Sequence, residues 1–298
     1  MTRRIFITTA IFMASFCCAL LANAHSEGER RFTLDNTRFV QMKSSQTGQA
    51  HELIIALPSS YHQSPDKKYP VLYFLDAYWD MPLVAATYGN LIYDNVVPEF
   101  IMVGFSYPGN VDYGKERRRD FTPTKVSPNL GADGGAPEFL RFIKESVVPM
   151  IEADYRGDKQ HRALAGSSLG GLFALYAMYT EPAFFTSYIA ISPAAVWDAN
   201  YLAKMDSAYA KNHKELRARA FISYGTDEYK PFADPIAALQ QQIKKRRYKG
   251  LELMNFKMDG LRHTAVKGDG YVRGLMWAWQ DIAPTSPSGL ENAMTGNN

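Results

Sequence analysis

From Phe32 onward, short runs rich in β-branched and aromatic residues alternate with longer segments whose apolar positions recur at helical spacing. The short runs predict strands at Phe32 to Val40, Glu52 to Leu57, Val71 to Leu75, Ile101 to Phe105, Ala163 to Ala165, Tyr188 to Ile191, Ala220 to Tyr224 and Leu253 to Lys257. The longer ones predict helices at about Pro137 to Asp154, Leu169 to Tyr179, Ala199 to His213, Pro235 to Tyr248 and Gly270 to Trp279. In the first helix Phe139, Phe142, Ile143, Val147, Met150 and Ile151 line one face, which is a core face. The runs 71–76, 101–106 and 220–225 are apolar on both faces, as strands buried in the middle of a sheet are. This order predicts the α/β class: a mainly parallel central sheet, helices on both of its faces, and an antiparallel N-terminal edge hairpin turning through Ser44 to Gly48. Between Ser106 and Ala136 the density of Pro, Gly and charge predicts a long loop without a helix, of the kind that often carries function. Residues 284–298 are polar and rich in Pro, Ser, Gly and Asn, and are expected to form a disordered tail.

Composition narrows the function classes. The 298 residues are 46% hydrophobic and 21% charged, so the chain can bury a core. Its 33 Lys and Arg against 30 Asp and Glu leave a formal charge of +3, too balanced for affinity gained by neutralising phosphates, so nucleic acid is not an expected partner. Arg3 and Arg4, the apolar run from Ile5 to Leu21, and Ala22-Asn23-Ala24 read as a cleavable secretory signal over residues 1–24. The apolar run barely reaches the length of a membrane span, so no stable membrane anchoring is expected after cleavage, and a periplasmic or secreted location is. Both cysteines, Cys17 and Cys18, lie in the signal, which leaves a catalytic domain over residues 25–283 with no thiol for catalysis.

The candidate chemistry centres on Gly166-Ser167-Ser168-Leu169-Gly170-Gly171, a G-x-S-x-G motif between a short apolar strand and an amphipathic helix. At such an elbow the serine takes a strained backbone, and its neighbours must lack bulk where chain segments crowd. Ser168 is at the apex, and Ser167 lies one residue off it. Where this elbow occurs, the acid and then the histidine follow the serine in sequence. Of the six histidines, only His263 follows a plausible acid-bearing strand, in a loop between the last strand and the last helix. The acid is expected after the strand ending at Tyr224, where two carboxylates are adjacent: counting from Gly225 favours Glu228, while aligning the D-E-aromatic run favours Asp227, the choice preferred here.

With these residues in place, the chain resembles the α/β-hydrolase esterase family of esterase D, feruloyl and acetyl-xylan esterases, mycolyltransferases and enterobactin-type siderophore esterases. The resemblance covers about Phe32 to Trp279 and rests on Pro70 to Asp76, the serine motif, Gly225 to Tyr229, His263, and the V-G-F-S-Y-P and R-R-R-D-F-T-P stretches ending at Pro123. The last two look particularly like the siderophore-esterase branch. The resemblance implies an α/β-hydrolase fold, Ser168 as nucleophile, His263 as base and one of Asp227 or Glu228 as acid. It implies an oxyanion hole made by the backbone N–H of Leu169 and of Ala77 or Tyr78. Related chains commonly carry Gly where Ala77 stands, but Ala supplies an N–H equally well if the backbone is not left-handed there.

Arg117 and Arg118 are candidate contacts to an anionic or catecholate-iron substrate, with a structural tie of the long loop by Arg119 or Asp120 as the competing and preferred reading. Trp79 and Tyr107, with Tyr78, Tyr113 and Trp197, are candidates for an aromatic pocket wall or for core packing. The resulting expectation is a serine hydrolase that cleaves a small-molecule carboxylic ester through an acyl-enzyme, favouring a siderophore ester, with no metal and no organic cofactor. Carbohydrate-ester or thioester hydrolysis and acyl transfer are the alternatives within the class. A binding protein on an inactive hydrolase fold is the alternative outside it.

Overall fold

A computed structural model describes residues 33–126 and 133–296. The secretory signal expected at residues 1–24 lies outside the described residues. Eight strands form one sheet: β1 (Thr37–Lys43), β2 (Ala50–Ala56), β3 (Tyr69–Phe74), β4 (Ile101–Ser106), β5 (Gly157–Ser167), β6 (Ser187–Ile191), β7 (Glu215–Gly225) and β8 (Lys249–Met258). Their order is β1-β2-β4-β3-β5-β6-β7-β8. β1 pairs antiparallel with β2 in the register Thr37 to Ala56, and β2 pairs antiparallel with β4. All other neighbours are parallel, from β4/β3 through to β7/β8.

Alternation along the strands sorts the side chains to two faces. Val71, Tyr73, Ile101, Val103, Leu164, Tyr188, Ala220 and Ile222 point into one buried cluster with residues of α3 (Ala136–Phe142), α4 (Val148–Asp154), α5 (Leu169–Thr180), α6 (Trp197–Asn212) and α7 (Lys230–Arg246). Ile189 and Ile191 point the other way, against α8 (Val266–Trp279). There Gly270 and Gly274 have no room for a Cβ, which would lie 2.8 Å and 2.4 Å from these isoleucine side chains. On that same side α8 is tied to α1 (Ala77–Tyr93) through Asp80, which accepts from Lys267 Nζ (2.7 Å) and Tyr271 Oη (2.8 Å).

Three departures from the sequence reading have physical causes. The stretch between Ser106 and Ala136 contains a helix, α2 (Tyr113–Phe121), started by the Asp112 side chain, which accepts from Lys115 N at 3.0 Å. The helix predicted from Pro137 is interrupted by a π turn at Ile143–Val147, where Val148 N–H reaches back to Ile143 O; Pro149, lacking an N–H, cannot serve the ordinary four-residue bond there. In the segment expected to be disordered, Ser288 and Glu291 form a capping box that starts α9 (Gly289–Thr295). Among the described residues no helix is long and apolar enough to cross a membrane.

Candidate active site

β5 runs into α5 through Ser168, whose backbone sits at φ 59°, ψ −116°, a strained region for a residue with a Cβ. Three backbone bonds hold it there: Ser168 N–H donates to Ile191 O (3.0 Å), and Ser168 O accepts from Leu172 N (3.0 Å) and Ala194 N (2.9 Å). The flanking glycines are required by space. A Cβ on Gly166 would lie 2.5 Å from the Gly170 carbonyl carbon, and one on Gly171 would lie 2.9 Å from Pro193 Cα. Ser167, by contrast, is buried, and its hydroxyl has no partner.

The loops after β7 and β8 are laced together. Thr226 N–H donates to Met258 O (2.9 Å) and Asp227 N–H to Leu261 O (3.1 Å), while Gly225 approaches Leu261 O too closely for any Cβ. This brings His263 onto Glu228: Nδ1 lies 3.1 Å from Oε2. The Glu228 carboxylate is buried, the residue being 5% exposed, and also accepts from Gly225 N (2.9 Å) and Ser192 Oγ (2.7 and 2.6 Å to its two oxygens). Burial alone raises its pKa, but the bonds from His263, Gly225 and Ser192 outweigh burial and hold the carboxyl below the usual glutamate range.

The geometry departs from the preference for Asp227: its backbone N–H joins the two loops, but its side chain is exposed and among the described residues meets Thr226 Oγ1 at 3.3 Å rather than His263. Phe232 of α7 stands edge-on to the His263 ring, 4.6 Å between centroids. With Nδ1 committed to Glu228 and Ser192, Nε2 is the ring nitrogen left for a reacting proton. Among the described hydrogen bonds none joins Ser168 Oγ to His263. The two are linked through β6: Ile191 O accepts from Ser168 N–H, and the hydroxyl of the next residue, Ser192, lies 3.0 Å from Nδ1. Catalytic hydrogen bonds that are long in the free enzyme commonly tighten only around substrate.

Two helix N-termini start at the same end of adjacent strands. β3 and β5 are parallel neighbours, with Leu75 N–H donating to Ala165 O (3.0 Å), and they lead into α1 and α5. The N–H groups of Ala77, Tyr78 and Leu169 are first-turn amides with no acceptor inside their own helices. The left-handed conformation falls on Asp76 (φ 59°) and not on Ala77, so Ala replaces Gly there without strain.

The remaining candidates separate into two groups. Arg117 does not point freely to solvent: its Nε and Nη2 donate to Asp76 Oδ1 and Oδ2, both at 2.7 Å. Arg118 stacks on Trp197 (5.0 Å) and lies 3.7 Å from Asp133. Arg119 holds Asp120 through two bonds (2.7 and 2.9 Å) and also bonds Glu116, and Tyr107 Oη donates to Asp120 Oδ2 (2.9 Å). Arg117, Arg118 and the Asp120–Tyr107 bond thus tie α2 to the scaffold, while the side-chain bonds of Arg119 stay within α2, and Tyr107 is core rather than pocket wall. Trp79 and Tyr78 are half-exposed and pack with Tyr113, Tyr78 stacking on it at 4.4 Å, as an aromatic surface beside the start of α1. Ser192 carried no sequence signal; its role appears only through packing.

A family model described as "Putative esterase" matches residues 44–258. The chain belongs to this esterase family. The matched span starts at the end of β1 and closes with β8, so it takes in Ser168 and Glu228 and stops just before His263. The chain is 34% identical over 185 residues to the ferri-bacillibactin esterase of Bacillus subtilis, a match covering 58% of this chain and 63% of the relative's length. Among solved structures it is similar to the BES protein from Bacillus cereus (26% identity, TM-score 0.76), covering 85% of this chain and 98% of that one. It is also similar to an IroE-like serine hydrolase from Shewanella oneidensis (25% identity, TM-score 0.73), covering 83% and 81%. This esterase-family chain has the α/β-hydrolase architecture, with the antiparallel pair at one edge of its parallel sheet.

Proposed function

We propose that this protein is an exported serine hydrolase that cleaves a carboxylic ester through an acyl-enzyme, with a siderophore ester as its substrate. The observation that carries the reading is the buried Glu228 carboxylate on His263 Nδ1, with the strained Ser168 bonded to Ile191 O and the hydroxyl of the next residue, Ser192, on the same Nδ1. Ser168 Oγ attacks the ester carbonyl while His263 Nε2 takes its proton. Glu228 keeps Nδ1 protonated and stabilises the imidazolium. The carbonyl oxygen becomes an oxyanion against the N–H groups of Leu169 and of Ala77 or Tyr78, where two helix dipoles favour negative charge. His263 then gives the proton to the departing alcohol, and a water, activated in turn by His263, releases the acid from Ser168. The siderophore assignment draws on the name of the Bacillus subtilis relative and on the half-exposed aromatic surface of Tyr78, Trp79 and Tyr113, which suits a planar acyl group.

The test is a substrate panel: a cyclic catecholate triester, iron-free and ferric, beside a p-nitrophenyl ester, a feruloylated sugar and an acyl thioester. Opening of the triester at a kcat/KM above that of the other natural-type esters is the expected result. Turnover of only the sugar ester or thioester overturns the siderophore assignment, and no turnover of any ester overturns the enzyme reading. Export rests on the charged and apolar pattern of residues 1–24. N-terminal sequencing of the protein recovered outside the cytoplasm is expected to start at His25.

A further inference from the structure

Ser192 follows β6 directly, is fully buried, and holds φ 45°, a conformation that side-chain-bearing residues rarely adopt. Its N–H is fixed on Ser223 O at 2.7 Å, and Ile191 O just before it accepts the nucleophile's own N–H. Its hydroxyl lies within 2.7 Å of both Glu228 oxygens and 3.0 Å from His263 Nδ1. A hydroxyl has one proton to give and two lone pairs to accept with. The O–H is drawn to the carboxylate, so a lone pair is left facing Nδ1–H, which is shared between Ser192 Oγ and Glu228 Oε2.

On the serine-hydrolase reading above, we propose that Ser192 is a positioning residue that braces the direct Glu228–His263 contact from the side. It clamps the carboxylate and offers the imidazole a second acceptor. The ring is held by two acceptors from two different strand ends, with Phe232 of α7 against it. Ser192 takes φ 45° where β6 ends, and in that conformation its hydroxyl meets both groups. The residue before it, Ile191, accepts the N–H of Ser168, so the contacts to nucleophile, base and acid come from two consecutive residues at the end of β6.

Removing the hydroxyl takes a donor from Glu228 and an acceptor from His263 Nδ1–H, so the carboxylate and the ring each lose one of the contacts that fix their orientation. Ser192→Gly is the sharper variant, because glycine accepts φ 45° without strain while deleting the hydroxyl. Ser192→Ala deletes it at the strained φ and carries the same test should the glycine variant fail to fold. With a p-nitrophenyl ester, kcat is expected to fall about 10- to 100-fold with KM changed less than about threefold, since part of the general-base contribution is lost. Wild-type kcat in the folded variants overturns the proposal, and so does a loss that falls on KM as much as on kcat, which marks a merely structural role. Fluorophosphonate labelling of the wild type separates the two readings. No adduct on Ser168 defeats the serine-hydrolase reading itself, whereas labelled wild type with unaffected Ser192 variants defeats only the role of Ser192.

Discussion

Replacing Arg117 with Met removes the partner of a buried carboxylate beside the candidate oxyanion hole. Asp76 accepts two bonds at 2.7 Å from Arg117, and the side chains are 4% and 18% exposed, so water cannot take over the lost bonds. Asp76 also immediately precedes Ala77, and its Oδ2 lies 3.7 Å from the position a Cβ would occupy on Gly170, at the start of α5. Its charge therefore sits between the two helix N-termini. Breaking a buried pair from one side costs about 3–5 kcal/mol. At about 2–4 °C per kcal/mol for a chain of this size, Tm falls by roughly 10 °C. The uncompensated charge also opposes the oxyanion, with an expected fall in kcat comparable to losing one hole donor, about 10²-fold. Adding Asp76→Asn to Arg117→Met removes the charge, and urea unfolding together with p-nitrophenyl ester kinetics is expected to show most of both losses recovered. A double variant as impaired as the single one, or a single variant indistinguishable from wild type, refutes this reasoning.

Other expectations follow from single contacts. Glu228→Gln is expected to lower kcat by about 10³-fold or more by spoiling the tautomer and losing the carboxylate charge, while Asp227→Asn stays within about threefold; equal mild effects in ester assays at fixed pH contradict the acid assignment. Gly166→Ala places a methyl 2.5 Å from backbone that cannot yield, so a stability loss of about 2 kcal/mol or more with loss of activity is expected in urea titrations. His51 is buried against Phe142 and bonded to Thr47, and burial first, then the charge of Arg119, pull its pKa from 6.5 down to about 4. The fold holds the neutral ring, so its contribution is complete above pH 6.5 and is lost as pH falls toward 4. This amounts to about 2–3 kcal/mol between pH 7.5 and 4.5, and the pH dependence of the urea midpoint should flatten in His51→Phe.

What the sequence made legible was the part encoded locally. The both-face apolar runs at β3, β4 and β7 could only be central strands, and a serine between glycines at a strand-to-helix junction restricted the elbow to one place. The candidate His263 came from chain order, and the structure brings it onto Glu228. The choice between Asp227 and Glu228 was not legible, because adjacent carboxylates differ only in which way the loop turns them. That turn is set by the bond from Asp227 N–H to Leu261 O in the loop after β8, together with the local bond from Gly225 N–H to Glu228. Ser192 gave no pattern at all, since its position depends on one left-handed residue after a strand. α1 was hidden by Pro82 and Gly89 within it, and α2 by a charged run whose ion pairs with Asp76, Asp120 and Asp133 exist only in the folded state. The aromatic residues divided the same way: Tyr107 and Tyr78 look alike in sequence, but one is buried on Asp120 and the other faces outward.

The most direct measurement is covalent labelling of the protein with a fluorophosphonate, followed by peptide mass spectrometry. One adduct per chain on Ser168 is expected, with labelling abolished in Ser168→Ala, slowed strongly in Glu228→Gln and unchanged in Asp227→Asn. An unlabelled Ser168 in folded protein, together with ester turnover that survives Ser168→Ala, would contradict the assignment of Ser168 as the nucleophile.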